Sequence, residues 1–208
     1  MRRVDLRNIL RKIFLKSNFI PLVPVVVLFT ATAAAAHTGG IPGGFASGFF
    51  HPVLGWDHVA AMVAVGIWGA FLGRPAIFLL PILFPMVMAF GAALGIAAVP
   101  IAHVETGIAL SSIVLGLLVL FGIRTPLWVA AVVVGVFAIC HGYAHGVELP
   151  DSLNPFAFAT GFIVSTGLLH LCGIGIGFLL GVRGGNYIVR GFGALIASVG
   201  TAFLVGVM

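Results

Sequence analysis

From residue 53 onward the chain is a succession of apolar runs, at 53–72, 76–98, 104–121, 126–146, 155–181 and 187–207, parted by short stretches that hold most of its charge. Each run is long enough to cross about 30 Å of hydrocarbon as a helix, and far longer than the roughly ten residues of a barrel strand. Inside lipid every backbone N–H and C=O must be satisfied within the protein, so runs of this length fold as helices. The pattern predicts an all-α, polytopic membrane helical bundle of six transmembrane helices, with the lipid bilayer as its surroundings. Only 7% of the 208 residues are charged and 61% are hydrophobic, a balance outside the range of soluble domains. No room is left for a soluble catalytic domain. The chain also lacks a Gly-x-x-x-x-Gly-Lys loop, so any transport runs down a gradient or is coupled to an ion.

The first 36 residues are of a different kind. Arg2, Arg3, Arg7, Arg11, Lys12 and Lys16 precede a short apolar core from Phe19 to Phe29, and Ala33 to Ala36 follow. This is the three-part pattern of a cleavable signal peptide over residues 1–36, with residues 37–208 as the transmembrane domain. The leader holds six of the ten basic residues, and its removal leaves four basic against four acidic. The net charge of +5 therefore belongs to the leader, and no nucleic-acid partner is expected. A mature terminus outside the cytoplasm puts Arg74, Arg124, Arg183 and Arg190 on the inner side, as the positive-inside rule requires. Cleavage near Ala36 leaves His37 at or near the new terminus, where amine, amide and imidazole can wrap a square-planar ion.

All seven histidines survive that removal, in a body with only four arginines. His51-Pro52-Val53-Leu54-Gly55-Trp56-Asp57-His58 puts two imidazoles and a carboxylate at the mouth of the first span. Nitrogen and oxygen donors in this mixture suit nickel, copper, zinc or cobalt rather than calcium. Pro52 predicts a helix start beside it, with Thr38 to Gly48 as a Gly-rich loop, Gly55 permitting a tight turn, and His51 folding back beside the helix mouth. Met62, one turn after His58, reads as packing. In the fourth span His141, His145 and Glu148 stand at i, i+4 and i+7, on one face if the helix runs that far. His170 lies alone near the middle of the fifth span, where it reads either as a satisfied packing residue or, at that depth, as a relay on an ion path, with Ser165, Thr166 and Cys172 as its nearest polar companions. His103 and Glu105 read as a solvated rim. Cys140 and Cys172 form no Cys-x-x-Cys pair and read as small buried hydrophobes.

His51-Pro52 followed by Gly55, Asp57-His58, Met62 and Val65-Gly66, with a leader before it and six spans in all, resembles the HupE/UreJ family of bacterial membrane proteins associated with hydrogenase and urease gene clusters. The resemblance covers essentially the whole mature chain. It implies a permease of the bacterial inner membrane that carries Ni²⁺, or in some members Co²⁺, with a periplasmic mature terminus and a hydrogenase or urease maturation system downstream. It also implies functional roles for His51, Asp57 and His58, with His141 and His145 as a second candidate cluster. The residues themselves do not select nickel over copper or zinc. On this reading the metal is cargo, no prosthetic group is called for, and the protein is not an enzyme. The competing reading from the same residues is an intramembrane zinc hydrolase, in which histidines and an aspartate hold zinc and activate water.

Overall fold

A computed structural model describes residues 44–149 and 154–207. The expected signal peptide and His37 lie outside the described residues. The helices are α1 (Gly44–Leu54), α2 (Trp56–Leu72), α3 (Ala76–Ile96), α4 (Val104–Phe121), α5 (Leu127–Val147), α6 (Pro155–Gly177) and α7 (Gly185–Leu204). A 3-10 turn, Phe178–Gly181, extends α6. No strand occurs among the described residues.

Local chemistry accounts for several of the boundaries. Asn154 caps α6, its side chain accepting from the backbone N–H groups of Phe156 and Ala157, and Pro155 fills the first helical position, where no N–H is required. Gly122 closes α4 in the left-handed conformation, at φ 64°. Pro81 and Pro85 sit inside α3 without ending it.

Five helices, α3 to α7, are long and apolar enough to cross a membrane. A sixth crossing results if α1 and α2, bent by 80° at Gly55, count as one broken span. Here the structure departs from the sequence expectation. Pro52 does not open the first span but lies inside α1, and part of the expected Gly-rich loop is helical. The short helix is held by its packing on α6. A methyl at Gly48 would fall on the Phe158 carbonyl, and one at Gly161 on the Phe45 carbonyl, so the two backbones meet directly.

Helix α2 lies at the centre, against α6, α4 and α3; α1 packs on α6, α3 on α5, and α4 on α7. Met62, Ala64, Val65, Ile67 and Trp68 are wholly buried, as expected for a helix apolar on every side. Met62 is thus part of the core. At one end the Trp68 indole donates to the Ile123 carbonyl (3.0 Å) and the Arg124 guanidinium lies over the Phe71 ring. This end also has the connections that carry Arg74 and Arg183. The opposite end holds the Gly55 bend and the ends of α3 and α5.

Candidate metal site

The bend at Gly55 turns α1 back so that His51 faces the start of α2 and the end of α5. Gly55 has φ −92° and ψ 112°, extended backbone that any residue can adopt. Its missing side chain matters for space instead: a Cβ there would sit 2.8 Å from Asp57 Oδ1 and 3.0 Å from His58 Nδ1. The turn role expected of Gly55 is therefore a clearance role.

Asp57 and His58 form a tight pair. Asp57 Oδ1 lies 2.7 Å from His58 Nδ1 and also accepts from the His58 backbone N–H at 2.9 Å. A carboxylate has only acceptors, so Nδ1 carries a proton and Nε2 is the ring nitrogen left to face a ligand. His141 is prepared in the same way: its Nδ1 donates to the Phe137 carbonyl at 2.9 Å. The Nε2 atoms of His58 and His141, and both ring nitrogens of His145, are buried and have no hydrogen-bond partner among the described residues. A carboxylate or carbonyl fixing one ring nitrogen while the other faces inward is the usual arrangement behind a metal-ligating histidine.

The two sequence clusters join into one. His145 has its ring centroid 4.8 Å from that of His51 and 4.6 Å from that of His58, and His58 lies 5.1 Å from His141. Helix α5 runs to Val147, so His141 and His145 share a face, and Glu148 is the C-cap that follows them. Ligand atoms of His51, His145 and Glu148 lie within 4.8 Å of one another, a separation that one ion can span. His51 Nε2 is 3.8 Å from a carboxylate oxygen of Glu148. Burial, and after it the neighbouring Glu105 carboxylate, push the Glu148 carboxyl above its ordinary value. His51 and Glu148 are the exposed edge of the cluster, His58 and His145 its covered middle, and His141 its fully buried floor.

His170 stands apart from this group. It is 1% exposed, and neither ring nitrogen has a partner among the described residues. The Phe84 ring connects it to the cluster, with its centroid 5.6 Å from that of His141 and 5.4 Å from that of His170. Phe162 of α6 covers His145 at 4.4 Å. Sequence reasoning missed both phenylalanines, because one Phe among eighteen in apolar runs has no signal of its own. His103 is exposed at the start of α4, and Glu105 is exposed in its first turn.

An all-helical bundle with membrane-crossing helices, closing around buried imidazoles near one end, defines a multi-pass helical membrane protein with a polar centre. The chain belongs to the HupE/UreJ family: the family model described as HupE / UreJ protein matches residues 25–203. It is 42% identical over 182 residues to Protein HupE of Rhizobium leguminosarum bv. viciae, which covers 88% of this chain and 95% of that protein. No solved structure matches it.

Proposed function

We propose that this chain is a permease for a divalent transition-metal ion, Ni²⁺ with Co²⁺ as the alternative cargo, captured at the His51–His58–His145 end and passed to the opposite end. The observation that supports this most directly is the set of buried imidazoles on α2 and α5 whose nitrogens lack partners. In a membrane interior a polar group without a partner is costly, and a passing cation would supply the missing contact. Glu148 and His51 at the exposed edge meet the hydrated ion first. His58 and His145 replace part of its water shell, and Asp57 orients His58 rather than standing alone as a donor.

The cytoplasmic side of this reading is the arginine-bearing end, by the positive-inside rule, so the imidazole end faces the periplasm of a bacterial inner membrane. A leader cleaved near Ala36 would put His37 on the same side. A hydrogenase or urease maturation system is the proposed recipient, as the family resemblance suggests. The test is uptake of ⁶³Ni²⁺ by vesicles with and without the protein, combined with metal analysis of the purified chain. The permease reading expects protein-dependent uptake and little retained metal. Stoichiometric zinc without uptake would overturn it in favour of the hydrolase reading.

A further inference from the structure

Among the hydroxyls on the membrane helices, most are closed on a backbone carbonyl. Thr160 donates to Phe156, Ser198 to Ala194 and Thr201 to Ala197 within their own helices, and Ser112 reaches across to Asp57. This is the default for Ser and Thr in a helix, since the carbonyl one turn back is always within reach. Two neighbours on α6, Ser165 and Thr166, depart from it, and of these Thr166 is the one that stands four residues before His170. Its hydroxyl is fully buried and has no partner among the described residues, although the Phe162 carbonyl stands in the same position relative to it. One turn further along α6 comes His170, equally buried, with both ring nitrogens unpartnered.

Thr166 and His170 stand at i and i+4 and so share a helix face. Phe162, one turn before Thr166, touches His145 of the capture cluster. At 1.5 Å rise per residue, the face runs from the cluster at Phe162 to Thr166 about 6 Å deeper and His170 about 12 Å deeper. The Phe84 ring lies against both His141 and His170. An ion held by His58 and His145 therefore has an aromatic ring beside the cluster floor and a second, poorer set of donors beyond it.

We propose that His170 and Thr166 form a second binding station for the cargo ion, distinct from the capture cluster and weaker than it. The proposal rests on the permease reading for its purpose, but not for its test. One His170 nitrogen ligates the ion, and the Thr166 hydroxyl accepts a hydrogen bond from a water that the ion retains. With one imidazole in place of several, the station holds an ion less tightly than the cluster does, and an ion that must leave again requires such a step down.

The experiment is equilibrium binding of Ni²⁺ to the purified full chain in nanodiscs, by titration calorimetry, run beside vesicle uptake. Two ions per chain of unequal affinity are expected. His170→Ala should remove the weaker ion and keep the tighter one, whose retention reports that the variant is folded. Thr166→Val should weaken the second ion by about tenfold, the loss typical of an outer-sphere partner. His145→Ala should do the reverse, losing the tight ion and keeping the weak one. A single ion per chain, or two ions unaffected by His170→Ala, overturns the station. Two ions with no uptake would instead sink the permease reading and leave the station standing. Uptake with one ion does the opposite.

Discussion

In the α4–α7 pair most hydroxyls turn back on backbone carbonyls, Arg190 Nε being the buried polar atom left without a partner among the described residues, and the interface is made by glycine. Methyls at Gly116 and Gly193 would press on the facing helix, and Ser111, Ser198 and Thr201 donate to carbonyls of their own helices. Around α2, α5 and α6 glycine again brings backbones together: a methyl at Gly142 or Gly146 would fall on a carbonyl of α3, and one at Gly66 on the His170 carbonyl. There, however, His58, His141, His145, Thr166 and His170 leave polar atoms unpartnered. Both regions achieve the same close packing, so packing does not explain the open groups. A fold selected for stability alone would close them or replace them with apolar residues.

The sharpest way to break this contrast is to remove one imidazole from each kind of surroundings. His145→Ala and His58→Ala should each lower ⁶³Ni²⁺ uptake at limiting metal by about 100-fold, the upper end of losses seen around metal sites. His103→Ala, at an exposed helix start, should leave uptake within about twofold, as surface changes usually do. Equal losses, with equal amounts of protein in the membrane, would show that burial and convergence are not what distinguishes these histidines.

A smaller effect is expected at Gly55, where the site depends on an absent side chain. Gly55→Ala should fold, since φ −92° and ψ 112° suit alanine, yet the new methyl would press on Asp57 Oδ1 and His58 Nδ1. Loss of a histidine's orienting partner lowers metal affinity by about 10- to 100-fold, and tenfold weaker uptake is the expected outcome here. Uptake equal to that of the unaltered protein would mean that the pair tolerates displacement.

The pH profile tests the exposed edge. Because the Glu148 carboxyl is raised, it holds its proton at a pH where an ordinary carboxylate has lost it. Its charge is fully present above that raised pKa and is lost as pH falls through it, so capture should weaken on acidification by a few-fold at limiting metal. In Glu148→Gln this component should vanish, leaving uptake lower at neutral pH and flatter in mild acid. An unchanged profile would remove Glu148 from the capture edge.

Five of the six expected spans were legible because hydropathy over about twenty residues is a physical requirement of the bilayer rather than a preference. α1 was not. Its 11 residues are too few to cross, three of them are Gly44, Gly48 and Pro52, and its helicity depends on contact with α6, which no local pattern encodes. The histidines were legible as chemistry because they are rare in an apolar chain. Their assembly was not, since His51 and His58 meet His145 only through the 80° bend, nearly ninety residues away in sequence. Spacing did give the shared face of His141 and His145, a relation internal to one helix, with Glu148 as its C-cap. It could not give Phe84, whose position beside both His141 and His170 is a product of packing alone.

The smallest effect is the most direct test of the contrast between the two regions, because it compares one chemical change at two threonines. Thr→Val keeps the shape and removes the hydroxyl. At Thr201 the hydroxyl donates to the Ala197 carbonyl at 2.8 Å, so Thr201→Val gives up a made hydrogen bond and should lower stability by about 0.5–1.5 kcal/mol. At Thr166 no bond is lost and a buried polar group without a partner is replaced by an apolar one, so Thr166→Val should be neutral or stabilising by up to about 1 kcal/mol. Uptake should move the other way, unchanged in Thr201→Val and slowed in Thr166→Val. Thermal unfolding of both variants in the same detergent, set beside their uptake rates, measures the two signs together. If Thr166→Val loses as much stability as Thr201→Val, the Thr166 hydroxyl is closed on the backbone like that of Thr201, and the contrast between α6 and α7 is left to Ser165 and His170.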